Sequence, residues 1–267
     1  MVTQDAVSTA EQLVRERFPD ARAAWLGGSA ATHSMTSTSD LDITVLLPSD
    51  PAPFRESLTV QKQPVELFVH TEDSLRSFCS QDRRRRRPTL MRLIGTSIVL
   101  IDTDGIGRRL QEQFHHLDRE GPPALSAEEV VAARYAVTDL LDDLSNGGPE
   151  ALSVAATLWQ EAAELLLGAK GRWSGTGKWL LRELRALDAD RDTNHADALM
   201  RGLSAVSRGD IGPMQDAVSA ALAPVGGRLF DGYRRTGTNS PALLPLRQDG
   251  ESVVLPPFAD TDADVII

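Results

Sequence analysis

The spacing of apolar positions changes near residue 120 of the chain. Before that point, apolar residues at helical spacing predict a helix over residues 5–18, which Pro19 ends. Thr71 is predicted to cap a second helix, and a third is predicted over 105–117. Short apolar runs predict β-strands at 21–26, 41–47, 57–62, 64–69 and 97–101.

Beyond residue 120 the pattern predicts helices alone. The segment 117–126 contains Gly121-Pro122-Pro123 and is predicted to be a linker. Ser126 and Glu129 form a capping box that opens a helix to about Leu144. Further helices are predicted at 150–167 and 177–187, with two more between 192 and 233 and an irregular tail from Thr236. We therefore predict an α+β fold: a mixed β-sheet flanked by helices in residues 1–121, then an all-α helical bundle in residues 122–267.

The formal net charge of −10 disfavours broad nucleic-acid binding, which needs a basic surface. The charge is uneven, with a net of −2 over residues 1–124 and −8 over residues 125–267. An acidic second half can attract a cationic partner, or it can simply keep the protein soluble. Both interpretations stay open at the level of sequence.

The remaining bulk features indicate a cytoplasmic protein with no membrane partner. No apolar stretch approaches the roughly 20 residues that span a bilayer, and the N-terminal residues lack the pattern of a signal peptide. The single cysteine, Cys79, has no partner for an internal disulfide and is expected to be a buried small hydrophobe. The oligomeric state is not predicted.

Residues 27–42 carry the most distinctive chemistry. Gly28 and Ser29 form a turn ahead of Asp40 and Asp42, which begin the strand predicted at 41–47. Side chains alternate faces along a strand, so the two carboxylates are expected to point the same way. Two carboxylates this close raise each other's pKa unless a cation lies between them, and Mg²⁺ prefers such oxygen ligands.

This pattern of Gly28-Ser29, nine residues, then Ser39-Asp40-Leu41-Asp42 resembles the signature of the DNA polymerase β-type nucleotidyltransferase superfamily. The small-molecule and minimal nucleotidyltransferases are the most similar members. They carry a third acidic residue on a neighbouring strand, and Glu66, within the apolar strand predicted at 64–69, fits that position.

The resemblance implies a nucleotidyltransferase domain in residues 1–121 with ATP as co-substrate. Asp40 and Asp42 would hold two Mg²⁺ ions, and Glu66 would complete one metal site or act as general base. Gly28, Ser29 and Ser39 would bind the nucleotide, with Gly28 allowing close approach of the phosphates. The implied reaction transfers an NMP, AMP in the case of ATP, to a hydroxyl group and releases pyrophosphate.

The helical half resembles that of aminoglycoside adenylyltransferases of the streptomycin-modifying type. Their second domain has a short loop leading into a helix whose lysine contacts the triphosphate, and Leu166–Leu181 is similar, with Lys178 at the helix start. Trp159, Glu161 and Glu164 are candidates to line an acceptor pocket. The alternatives are a solvated Lys178, a core Trp159 and surface glutamates.

Two functions follow. The first is transfer to a small polar, cationic, aminoglycoside-like acceptor. The alternative is a minimal nucleotidyltransferase of the toxin–antitoxin type, which modifies a protein or tRNA. The run Arg83–Arg87 bears on this choice, because it predicts a solvated or acid-binding helix end and leaves open an RNA clamp.

Overall fold

The computed structural model describes residues 2–32, 34–36 and 38–236. Within these ranges a mixed five-stranded sheet is followed by a helical second half, which confirms the predicted fold class. The elements are α1 (Val2–Arg17), β1 (Ala23–Leu26), α2 (Gly28–Ala31), β2 (Leu41–Leu46), β3 (Phe54–Val60), β4 (Gln63–His70), α3 (Glu72–Arg85), α4 (Thr89–Gly95), β5 (Ile98–Asp102), α5 (Ile106–Glu120), α6 (Ala127–Ser145), α7 (Ala151–Ala169), α8 (Lys178–Arg191), α9 (His195–Val206), α10 (Gly212–Leu222) and a 3₁₀ turn (Ala223–Val225).

The sheet has the strand order β3-β4-β2-β1-β5. Strands β2 and β4 are parallel, whereas the other neighbours are antiparallel. The parallel register places Asp42 of β2 directly opposite Glu66 of β4. Two acidic positions far apart in the chain are thus brought side by side by strand pairing alone.

Helices pack on both faces of the sheet. On one face, Leu26, Ile43 and Leu67 pack with the apolar stripe of α1. On the other face, Trp25 packs with residues of α3, α4 and α5, and its indole N–H donates to the Gly107 carbonyl at 3.2 Å. Asp42 and Glu66 fall on the second face by alternation, so they lie on the side of α3, α4 and α5.

The helical half has a core of its own, built mainly from leucines and alanines of α6 to α10. Trp173, in the loop before α8, packs instead among the residues of the sheet-side core. The boundary predicted at residue 121 coincides with Gly121, which follows α5, and the division into two domains stays a prediction. No helix in the described ranges combines the length and the apolarity needed to cross a bilayer.

Three details differ from the prediction or lie outside it. The strand predicted at 57–62 is β3, which ends at Val60 because Gln61 and Lys62 form a tight turn with φ values of 49° and 71°. Helix α4 was not predicted, since its seven residues are too short to show helical periodicity. The irregular tail predicted from Thr236 lies, beyond Thr236 itself, outside the described residues.

Candidate active site

Three carboxylates converge at the end of the β2–β4 pair. Asp40, Asp42 and Glu66 each offer an oxygen, and these oxygens lie within 4.8 Å of one another. Asp40 immediately precedes β2, whereas Asp42 and Glu66 are paired within the sheet. All three side chains are partly exposed, so the cluster can be reached from solvent.

The Gly27-Gly28 turn packs directly against this cluster. Gly27 N–H donates to the Asp42 carbonyl at 2.8 Å, which ties the turn to β2. Gly28 has φ of +58°, and a Cβ there would lie 2.9 Å from Cγ of Asp42 and closer still to its Oδ2. Gly28 is therefore required for two reasons: its backbone conformation, and the space beside it that the Asp42 carboxylate occupies.

The two predicted nucleotide-binding serines occupy different positions. Ser29 is half-buried in the single-turn helix α2, next to Gly28. Ser39 shapes the loop that leads to Asp40, because its Oγ accepts from Thr36 N–H at 2.9 Å and its carbonyl accepts from Gln63 Nε2 at 2.6 Å. The structure thus gives Ser39 a role in loop geometry, and nucleotide contact by either serine stays a prediction.

The electrostatics of the cluster are dominated by burial and by like charges. Burial, followed by the charges of Asp40 and Glu66, raises the pKa of Asp42 to about 7. The charges of Arg55 and Lys178 oppose this rise in pKa. The like charges of Asp40 and Glu66 add to the effect of burial, so the cluster favours positive charge among its carboxylates.

Arg55 is a site residue that the sequence did not indicate. Its Nη2 donates to both Oε1 and Oε2 of Glu66 at 2.8 Å, and its guanidinium lies 5.1 Å from the Phe68 ring centroid. Arg55 is on β3, the edge strand, where it pairs with Phe68. The strand predicted at 57–62 begins after Arg55, so the sequence offered no signal for this contact.

Lys178 begins α8 and lies within electrostatic reach of Asp42, because its charge lowers the pKa of that carboxyl. This electrostatic effect links Lys178 to the acidic cluster, and its contact with a triphosphate stays a prediction. Lys178 is exposed, and the positive φ of Gly177 just before it turns the chain into the helix.

The three predicted acceptor residues on α7 are placed differently from one another. Trp159 is 8 % exposed and packs in the core of the helical half. Glu164 accepts from Arg87 Nη2 at 2.9 Å, so its face of α7 turns toward the sheet half. Glu161 lies one turn earlier on that face, and burial together with the Glu164 charge raises its pKa.

The arginine run binds acidic groups of the same chain. Arg83 pairs with Glu120 at 3.7 Å, Arg85 with Asp82, Arg86 with Glu129 and Arg87 with Glu164. Arg84 donates to Ser80 Oγ at 3.2 Å. The pairs made by Arg86 and Arg87 join the α3–α4 connection to α6 and α7, so the run holds the two halves together.

The donor set fits a hard divalent cation. Carboxylate oxygens are the ligands that Mg²⁺ prefers, and the oxygens of Asp40, Asp42 and Glu66 are close enough to share one ion or a pair.

Neither a protein-family model nor a curated protein matches the chain. Among solved structures, the chain is similar to the crystal structure of a nucleotidyltransferase-like protein from Exiguobacterium sibiricum. The identity is 12 % and the TM-score is 0.42, with 82 % of this chain and 73 % of that chain covered. At this level of similarity, the function has to be inferred from the residues of the chain itself.

Proposed function

We propose that the protein is a Mg²⁺-dependent nucleotidyltransferase that transfers AMP from ATP to a hydroxyl group of a small cationic acceptor and releases pyrophosphate. The observation that carries the proposal is the convergence of Asp40, Asp42 and Glu66 beside the Gly28-Ser29 turn. Carboxylates that gather metal ions next to a turn open to phosphate suit the handling of a nucleoside triphosphate.

Asp40, Asp42 and Glu66 are the residues that would hold two Mg²⁺ ions, which when bound neutralise phosphate charge and orient the acceptor oxygen. The other groups act directly. Gly28, which has no Cβ, lets the Asp42 carboxylate pack against the turn, and Ser29 can donate its hydroxyl proton to a phosphate oxygen. The Lys178 ammonium stabilises the negative charge that builds on the leaving pyrophosphate.

Glu66 is held by Arg55 through both of its oxygens, which fixes the direction of the carboxylate. As a metal ligand, Glu66 would gain from this orientation. As a general base, it would take the proton from the acceptor hydroxyl. Either role requires the same placement beside Asp42.

The acceptor is proposed to be small and cationic. Glu161 and Glu164 lie on the face of α7 that turns toward the sheet half, and the second half of the chain carries most of the negative charge. A macromolecular acceptor such as tRNA is less well supported, because the arginine run, its candidate clamp, is engaged with acidic residues of the chain.

The test is pyrophosphate release from ATP by the purified protein with Mg²⁺ and an aminoglycoside. We expect release that depends on the acceptor and is abolished by Asp42→Asn, which keeps the shape of the side chain but removes its charge. Asp20→Asn, at an exposed turn outside the cluster, is the matched control. Undiminished release by the Asp42 variant would refute the proposal, and labelling of tRNA or protein in place of the aminoglycoside would favour the alternative acceptor.

A further inference from the structure

Trp179 differs from the other tryptophans of the chain. All four lie in the described residues, and Trp25, Trp159 and Trp173 are buried, whereas Trp179 is 47 % exposed in the first turn of α8. A single exposed apolar side chain needs no explanation by itself. The position of Trp179, however, can be inferred from two nearby residues of α8, Lys178 and Glu183.

Lys178, the preceding residue, carries a charge that acts on Asp42. Glu183 lies one turn further along the same face of α8 as Trp179. Glu183 is bonded to Arg92 of α4. Trp179 is therefore on the face of α8 that turns toward the sheet half.

Helix α4 connects this face to the phosphate-side turn of the candidate site. Leu93 follows Arg92, and its carbonyl lies so close to Gly27 that a Cβ on Gly27 would be 2.6 Å away from it. Helix α4 therefore contacts Gly27 through Leu93 and α8 through Arg92. This helix links the face of α8 that carries Trp179 to the turn at Gly27-Gly28.

Two cations lie close to the indole. The Arg182 guanidinium lies 4.7 Å from the ring centroid and the Lys178 ammonium lies 6.0 Å from it. Such contacts attract the ring electrostatically and reduce its freedom. A half-exposed indole beside a lysine whose charge acts on Asp42 is suited to a ligand with a planar ring and a polyanionic tail.

We propose that Trp179 stacks on the nucleobase of the bound nucleotide, with Arg182 as the positioning residue that holds the indole. The inference rests on the proposed function and adds to it the group that recognises the base. Stacking uses the π-face that every base has. The site therefore binds all four nucleotides and gains affinity from the base without reading its hydrogen-bonding edge.

The experiment compares the binding of ATP and of inorganic tripolyphosphate, each with Mg²⁺, by calorimetry. Tripolyphosphate has the charged tail without the base. We expect Trp179→Leu to weaken ATP binding about tenfold and to leave tripolyphosphate binding unchanged, whereas Trp179→Phe retains most of the ATP affinity. ATP should also quench the tryptophan fluorescence of the wild type, and this quenching should disappear in Trp179→Leu, because the other three indoles are buried.

Phe230→Leu is the matched control, since Phe230 is 68 % exposed and stacks on Tyr135 of α6 rather than near α8. Equal losses of ATP and tripolyphosphate affinity in Trp179→Leu would overturn the inference, as would no loss of either. An effect confined to the KM of the acceptor would also overturn it. In these cases continued pyrophosphate release would leave the proposed function standing, whereas a wild type that binds neither compound would remove both.

Discussion

At the residue scale, the candidate site depends on one position where any side chain would collide with a carboxylate of the acidic cluster. Gly28 combines a positive φ with direct contact to the Asp42 carboxylate. Gly105 is a matched comparison, because its φ is +76° but a Cβ there would meet nothing within 4 Å. Substitutions at Gly28 and Gly105 therefore separate the effect of backbone strain from the effect of displacing the Asp42 carboxylate.

Gly28→Ala is expected to lower the rate of pyrophosphate release by about 10²-fold, because a displacement of about 1 Å in a reacting group has that effect. Gly105→Ala is expected to lose about 1 kcal/mol of unfolding free energy from strain and to keep its activity. Steady-state kinetics and urea unfolding of both variants measure the two effects. Equal activity losses in both variants would contradict the placement of Asp42 against Gly28.

His70 predicts a pH dependence of stability. Burial lowers the pKa of His70 to about 4, and the imidazole contacts Ser74 Oγ at 3.2 Å and the ring of Phe78. The unfolded chain binds the proton at an ordinary pKa near 6.5. His70 therefore does not lower the unfolding free energy above pH 6.5. Below pH 6.5 the unfolded chain binds the proton more readily than the folded protein, so the unfolding free energy falls as the pH falls toward 4.

Between pH 7.5 and pH 5.0, this loss should be about 2 kcal/mol of unfolding free energy. Urea unfolding at the two pH values measures it, and His70→Gln should reduce the difference by that amount. The same change at the exposed His115 controls for the removal of one histidine. A His70 variant with the full pH dependence of the wild type would show that another group is responsible.

At the element scale, local signals were sufficient for the ends of helices but not for the assembly of the sheet. Thr71 and Ser126 both accept from the backbone N–H three residues later, as the capping patterns predicted. The turn at Gln61-Lys62 contains no Gly, Asn or Asp, the residues that usually adopt positive φ values. The strand predicted from sequence therefore continued through this turn.

The same contrast holds for the site. Asp40, Asp42 and Glu66 could be selected from motif spacing, and their convergence in space follows from one parallel strand pairing. Arg55 could not be selected, because its contact with Glu66 depends on the position of β3 beside β4 at the sheet edge. A residue whose contacts depend on the pairing of two strands cannot be recognised from the local sequence pattern.

Helix α4 positions α8 through one side chain, which makes Arg92 a test of how elements support the site. Arg92 donates to Asp118 of α5 at 2.9 Å and is also bonded to Glu183 of α8. Both carboxylates are mostly buried, so removal of the guanidinium leaves two charges without their partner.

Arg92→Met is expected to lower the unfolding free energy by about 2 kcal/mol and to raise the KM for ATP, since α8 carries Lys178. Urea unfolding and initial rates measure these effects. Arg76→Met, which removes an exposed pair with Glu72 within α3, should cost about 0.5 kcal/mol or less. If the two variants behave alike, the Arg92 contacts do not hold α8 in place.

At the scale of the whole molecule, the two halves share both charge pairs and apolar contacts. Arg86 and Arg87 bind Glu129 and Glu164, and the backbone N–H of Ser174 donates to the Arg86 carbonyl at 2.7 Å. Part of the negative charge of the second half thus neutralises the arginine run. This structural role is separate from its proposed role in attracting a cationic acceptor.

Trp173 carries the apolar part of this connection and gives the last prediction. It lies beyond the predicted boundary at residue 121, yet its ring is buried in the sheet-side core and its Nε1 donates to the Asp118 carbonyl at 2.6 Å. A fragment of residues 1–121 would therefore expose part of its core. We expect the fragment to unfold at a lower urea concentration than the full chain.

In the full chain, Trp173→Ala is expected to lower the unfolding free energy by about 3–5 kcal/mol. Leu152→Ala, at an exposed position, should change the unfolding free energy by less than about 0.5 kcal/mol. A fragment as stable as the full chain would mean that the sheet half folds without help, and the contacts of Trp173 would then serve only to orient α8 and its Lys178.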